Sequence, residues 1–374
     1  MKVPVCIPTL SGEEWKYLKE CLDTNWISSK GKFIEEFEDG FADYIGVKYG
    51  CTTTSGTAAI HLALISSGIK PGDEVIVPAF TMMGSIFPII YCGAKPVLVD
   101  SEVETWNIDV SKIEEKITER TKAIMVVHIY GHPCDMEPIM DIANKYDLYV
   151  VEDAAEAHGA EYKGKKVGTF GDLSCFSFYA NKIITTGEGG MLLTNNKGIY
   201  EKAKRLKDMA FTEERRFLHY DVGFNYRMTN MQAAIGLAQL EKINTYVEAR
   251  RRNAKLYNEL LKDIEGIKLP SEKKWAKNVY WMYSILVDEK KFGMSRDALM
   301  NTLADEGIDT RPFFVPMHQQ PVLRERGLFG GEESYPIAEE LSKNGLNLPS
   351  SSSLSKNDIE LVSNIINELK RDRI

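Results

Sequence analysis

Between about residue 50 and residue 178, short valine-rich apolar runs alternate with helical patterns, and this alternation restricts the possible folds more than any other feature. SGTAAIHLALISSG predicts a helix with a glycine stop, and DEVIVPAF and KPVLVD predict short buried strands. DVSKIEEKI then predicts a helix, TKAIMVVHI a strand, MEPIMDIANKYD a helix, LYVVEDA a strand and LSCFSF a further strand. Strands separated by helices imply an α/β fold, a mostly parallel central sheet flanked by helices on both faces. Ligands of such sheets gather beyond the carboxyl ends of the strands. Phe80, Thr81, Asp153, Ser177 and Lys182 all stand at such ends.

A chain of 374 residues fits two domains. The segment MQAAIGLAQLEKINTYVEARRRNAKLYNELLKDI predicts a connector helix or two helices in tandem. The strand YWMYSILVD and the helices SRDALMNTLADEGI and DIELVSNIINELKRD follow it. We therefore expect a large domain over 1–245, whose N-terminal segment packs on the second unit, and a smaller α+β domain over 246–374.

With 46 basic against 54 acidic residues the formal charge is −8, and no basic block is present, which argues against a general nucleic-acid binder. No apolar run approaches the length of a membrane span and the N-terminus lacks a leader pattern, so no membrane association and a cytoplasmic setting are expected. Six cysteines without a CxxC pair and six histidines without ligand spacing predict neither a metal site nor a disulfide framework.

Lys182 lies in YANKIITTGEGG, after an apolar run and before a glycine-rich turn. A lone lysine is ordinarily a solvated surface residue. Ser177 upstream, Thr185 and Thr186 downstream and the freedom of GEGG fit a second reading, a lysine that forms a Schiff base in a desolvated site beside phosphate anchors. Asp153 ends an apolar strand and equally fits a helix cap or a carboxylate facing the pyridinium nitrogen of pyridoxal phosphate. Ser55, Gly56 and Thr57 open a helix, where free N–H groups and the dipole suit a phosphate whether or not Ser55 is simply the cap. Neither a GxGxxG after a strand nor a Walker lysine motif is present, which argues against a nicotinamide-dependent enzyme and a P-loop.

Taken together, SGTAAIHLAL, GDEVIVPAFT, YCGAKPVLVD, VVHIYGHPCDM, VEDAAEAHGA, GKKVGTFGDLSCFSF, NKIITTGEGG and VGFNYRMTN resemble the DegT/DnrJ/EryC1/StrS sugar aminotransferases of the fold-type I pyridoxal phosphate enzymes, over nearly the whole chain. The resemblance implies that Lys182 holds the cofactor covalently and shuttles the proton, with Asp153 on the pyridinium nitrogen and Glu156 near its O3′ side. It implies that Gly56, Thr57 and Ser177 hold the phosphate, and that Asn225, with Arg227 nearby, reaches in from the partner of a homodimer. Where the family usually stacks an aromatic residue on the cofactor ring, this chain has Met82, followed by Met83. A subset of the family carries histidine in place of the lysine and dehydrates its substrate; Lys182 argues against that outcome.

The implied reaction moves an amino group from L-glutamate to C4 of a nucleotide-linked 4-keto-6-deoxy sugar, with GDP-4-keto-6-deoxy-D-mannose as the expected acceptor. Ser29, Lys30, Arg227 and His318 are candidate contacts to that acceptor, and each equally fits a surface or packing role. Alternatives are a 4-aminotransferase for UDP- or dTDP-4-keto-6-deoxyglucose and a catalytically idle regulatory paralogue that binds cofactor or sugar.

Overall fold

The computed structural model describes residues 2–212, 214–215 and 217–371. Its strands in chain order are β1 (Tyr49–Thr53), β2 (Glu74–Pro78), β3 (Lys95–Val99), β4 (Thr121–Val127), β5 (Tyr149–Asp153), β6 (Glu161–Tyr162), β7 (Lys165–Lys166), β8 (Leu173–Ser177) and β9 (Gly190–Thr194). After them come β10 (Ile267–Lys268), β11 (Ala276–Lys277), β12 (Tyr283–Val287), β13 (Arg311–Pro312) and β14 (Gly345–Leu348). The expected alternation becomes a seven-stranded sheet in the order β1-β9-β8-β5-β4-β2-β3. Neighbours run parallel from β8 to β3, and β9 alone runs against the rest, antiparallel to both β1 and β8.

Helices cover both faces, so the strands are buried on both sides and read as continuous apolar runs rather than as alternating ones. The pleat divides each strand between two cores. Val75, Val77, Ala123, Met125, Val127 and Val151 join the main cluster on one face, whereas Ile76, Ile124, Val126 and Val150 join a second cluster on the other. In β5 this alternation sends Asp153 to the main-cluster side and Glu152 to the opposite side.

On that opposite side Glu152, fully buried, accepts hydrogen bonds from Gly168 N (2.6 Å), Phe170 N (2.8 Å), Gly171 N (2.7 Å) and His128 Nε2 (3.0 Å). His128 Nδ1 accepts from Cys134 N at 3.0 Å, which places the ring proton on Nε2, facing the carboxylate. Replacing Glu152 with alanine leaves three backbone N–H groups, one buried and two part-buried, without this acceptor, and we expect a loss of about 3–5 kcal/mol of stability, read as a shift in urea midpoint at unchanged slope.

One local expectation is corrected, and two further elements lie where the sequence showed none. DVSKIEEKI forms not an α-helix but two 3₁₀ turns, Val110–Lys112 and Glu114–Lys116, the first capped by Asp109 accepting from Ser111 N at 3.1 Å. Between β2 and β3 a helix, Met83–Tyr91, was not anticipated, because it contains Pro88 and is too apolar to show a helical stripe. β9, GMLLT, also escaped notice as a short apolar run behind the glycines.

The long amphipathic segment is two helices, Asn230–Leu240, opened by a Thr229/Gln232 capping box, and Ile243–Leu261. The expected domain boundary falls inside the second of these. A four-stranded antiparallel sheet, β10-β12-β14-β13, packs with the Arg296–Asp305 and Lys356–Arg371 helices around Tyr257, Tyr283, Leu299, Leu303 and Ile359. Val3 belongs to this cluster and forms a parallel bridge with Ile308. Among the described residues no helix is long and apolar enough to cross a membrane.

Candidate active site

Asp153 closes β5 and is 5% exposed. Its Oδ1 accepts from Ala155 N at 3.1 Å and its Oδ2 from Ser85 Oγ at 2.7 Å, and Ser85 is itself paired with Thr81 at 2.8 Å. Burial raises its pKa, and these hydrogen bonds and the Lys182 charge pull it back. Asp153 thus closes its strand as a buried carboxylate oriented by two donors.

The loop after β8 carries Lys182. Its backbone N–H donates to Tyr179 O at 2.9 Å, and the turn is fastened by Thr186 N and Thr185 Oγ1, both donating to Phe178 O. The loop returns to β9 through Gly190, where a Cβ would lie 2.3 Å from Ser55 O, so only glycine permits this approach. The Lys182 side chain is 10% exposed, its Nζ 3.9 Å from Glu156 Oε1 and 3.7 Å from the centre of the Trp281 ring. Trp281 in turn donates from Nε1 to Asn181 O at 2.9 Å, fixing the backbone next to the lysine.

Burial lowers the Lys182 pKa, opposed by the Glu156 and Asp153 charges, and pushes that of Glu156 up to about 7. Glu156 Oε2 accepts from Tyr130 N at 2.8 Å, and Tyr130 holds a left-handed φ of 52°. A carboxyl raised this way keeps a proton in the folded chain between its ordinary 4.5 and about 7, while the unfolded chain has released it. That contribution to stability is complete below pH 4.5 and is lost as pH rises through about 7. In protein freed of cofactor, the stability difference between wild type and Glu156→Gln therefore falls across this interval. Urea unfolding at a series of pH values checks it, and a flat difference contradicts it.

At the other side of the cavity the Gly56–Ser66 helix starts, with Ser55 Oγ accepting from Ala58 N at 3.1 Å. The first N–H groups, those of Gly56 and Thr57, have no acceptor within the helix. A Cβ on Gly56 would lie 2.8 Å from Cβ of Ser177, so glycine is what allows the helix start to meet the end of β8. Met82 is 51% exposed and caps the Met83–Tyr91 helix, its sulfur accepting from Gly84 N at 2.8 Å.

Gly56, Thr57, Met82, Asp153, Glu156, Ser177 and Lys182 line one cavity of about 350 Å³. Ser85, Tyr130, Asn181, Trp281, Arg311 and Asn347 line it too, and sequence reasoning had not named them. Their motifs carry no signal of their own; the RPFF stretch had drawn attention to His318, whereas Arg311, Pro312 and Phe314 of that stretch reach the cavity.

The remaining candidates lie elsewhere. Ser29, Lys30 and Arg227 line a separate and larger cavity of about 790 Å³ beside the buried Lys207–Glu38 pair (2.8 Å). Asn225 Oδ1 accepts from Arg227 at 2.8 and 3.1 Å, Arg227 also pairs with Asp208 at 2.7 Å, and Asn225 does not line the Lys182 cavity of its own chain. His318 is 3% exposed, bonded to Glu339 at 3.0 Å and outside that lining. Cavity size is no guide to the chemistry: the larger one also borders a buried lysine and carboxylate, but Lys207 is ion-paired with Glu38, whereas burial lowers the pKa of Lys182 in the smaller one.

An α/β sheet with a desolvated lysine, a buried oriented carboxylate and a glycine-relieved helix start at its strand ends defines an aminotransferase that works with pyridoxal phosphate. The chain belongs to the DegT/DnrJ/EryC1/StrS aminotransferase family, whose profile matches residues 8–367. It is similar to the GDP-perosamine synthase of Escherichia coli O157:H7, 47% identical with 99% of each chain covered, and to that of Caulobacter vibrioides, 47% identical with 96% of each covered. Among solved structures it is similar to DesV of S. venezuelae in complex with a ketimine intermediate, with a TM-score of 0.89, 32% identity and 96% and 94% of the two chains covered. It also matches the pyridoxal phosphate form of the putative sugar aminotransferase Spr1654 of Streptococcus pneumoniae, with a TM-score of 0.92, 26% identity and 100% and 99% covered.

The residues present fit that cofactor. Asn181 Oδ1 is buried without a hydrogen-bond partner among the described residues, Asp153 is buried with no cation in hydrogen-bond contact, and the Gly56–Ser177 approach leaves a cradle that a Cβ would fill.

Proposed function

We propose that the chain transfers an amino group from L-glutamate to C4 of GDP-4-keto-6-deoxy-D-mannose, giving GDP-perosamine for a surface glycan such as O-antigen. The observation that carries this reading is the 47% identity, over 99% of both chains, to a GDP-perosamine synthase. When bound, pyridoxal phosphate supplies the electron sink and keeps the amino group between the two half-reactions.

In this reading Asp153 holds the ring nitrogen protonated, and Gly56 and Thr57 N–H with Ser177 Oγ hold the phosphate. Met82 would take the place beside the ring, where a polarisable thioether can pack on an aromatic face. Lys182 Nζ takes the proton from the donor carbon and returns one to the sugar C4, and burial is what leaves its amine available as a base. Glu156, 3.9 Å away, holds that amine in place, and the Trp281 face shields it from water. L-Glutamate leaves as 2-oxoglutarate, and the keto sugar leaves as the amino sugar.

The same reading makes the protein a cytoplasmic homodimer in which Asn225, with Arg227 beside it, serves the cavity of the other copy. Support comes from the placement of Asn225 away from its own cavity and from Tyr220 and Val222 nearby in the chain, 70% and 85% exposed. Ser29, Lys30 and Arg227 then contact the nucleotide-sugar from the larger cavity. The substrate is tested by offering GDP-, UDP- and dTDP-linked 4-keto-6-deoxy sugars with L-glutamate. Amino sugar formed from the GDP substrate is expected, and product from the UDP substrate alone contradicts the assignment.

A further inference from the structure

We infer that Arg311 is the clamp for the diphosphate of the nucleotide-linked sugar, an inference that rests on the aminotransferase reading above. Arg311 opens β13, the edge strand of the smaller sheet, and pairs in register with Asn347 of β14. Both residues line the Lys182 cavity. Arg311 is exposed, and among the described residues no hydrogen bond or ion pair engages its guanidinium. Other arginines nearby are spent: Arg296 bonds Asp297 and Gly345 O, and Arg250 bonds Trp281 O and Ser352.

The charge balance of the cavity shows what this cation is for. Its lining carries Asp153, Glu156 and Glu188 against Lys182 and Arg311. An anionic substrate meets a carboxylate-rich interior, and Arg311 is the one guanidinium on the lining that offsets it. Arginine presents a planar fork of donors that matches phosphate oxygens in pairs.

Position separates the two anions that enter. The carbon that reacts must reach Lys182 Nζ, whose side chain is 10% exposed. The α-carboxylate of the amino donor is attached to that carbon and goes in with it. The diphosphate is carried on C1 of the sugar, across the ring from C4, and therefore stays toward the exposed rim where Arg311 stands.

The test separates the half-reactions. Arg311→Met and Arg311→Lys are prepared, GDP binding is measured by calorimetry on protein with and without cofactor, and the conversion of L-glutamate to 2-oxoglutarate in the absence of sugar is followed by loss of the cofactor's colour. We expect Arg311→Met to weaken GDP binding about 10- to 100-fold, the range of a lost charge-assisted contact, and Arg311→Lys to recover part of it. The rate and half-saturation of the glutamate half-reaction stay within about twofold of wild type, as they must if no contact to the donor is lost. Unchanged GDP affinity overturns the inference, and so does a glutamate half-reaction impaired as much as GDP binding. If wild type itself fails to react with glutamate, the aminotransferase reading fails instead, while the GDP titration still reads Arg311 separately.

Discussion

Lys182→Ala is expected to turn over at about one-thousandth of the wild-type rate or less, because in the proposed mechanism one side chain supplies both the covalent hold on the cofactor and the proton transfer. Proton transfer by a positioned group alone is worth about 10²–10⁴. The fold should survive, since the backbone bond from Lys182 N to Tyr179 O remains and the substitution removes a desolvated amine rather than a structural tie. Urea midpoints near wild type together with lost turnover separate chemistry from stability. Turnover near the wild-type rate in this variant contradicts the role given to Lys182.

Asp153→Asn is expected to slow the glutamate half-reaction roughly 100- to 1,000-fold, the scale on which a single preorganised electrostatic contact acts. The substitution isolates charge from shape. An amide in the same pose still accepts from Ala155 N and can donate to Ser85 Oγ, so both partners at 3.1 and 2.7 Å stay satisfied. What is lost is the negative charge that, in the proposed mechanism, keeps a ring nitrogen protonated. Stopped-flow measurement of the half-reaction reads the effect, and a rate within about threefold of wild type contradicts the assignment, half an order of magnitude being less than any such contact contributes.

The parts of this site legible in the sequence are those that lie at the ends of the sheet's own strands. Asp153, Ser177 and Lys182 follow apolar runs whose burial on both faces fixed their identity as strands, and Gly56 opens a helix behind a small polar cap. VVED alone does not separate Glu152 from Asp153; the pleat does, sending one to the His128 knot and the other to the cavity. Trp281, Arg311 and Asn347 were not legible, because they arrive from beyond residue 280 and nothing local marks a tertiary approach of that range. Ser85 sits on a helix that Pro88 concealed. In the proline-flanked stretch the sequence draws the eye to His318, yet burial turns that ring toward Glu339 and leaves Arg311 facing the cavity.

Met82 is 51% exposed and its sulfur is engaged by Gly84 N, so its position is held by the helix cap rather than by packing.

The central claim is that this cavity accepts an amino group from glutamate and stores it. Purified protein saturated with pyridoxal phosphate is mixed with L-glutamate without any keto sugar, and colour and 2-oxoglutarate are followed together. The account predicts that the yellow colour bleaches as about one equivalent of 2-oxoglutarate forms per subunit, the stoichiometry of a single half-reaction, and that Lys182→Ala does neither. Persistent colour with no 2-oxoglutarate from the wild-type protein would contradict it.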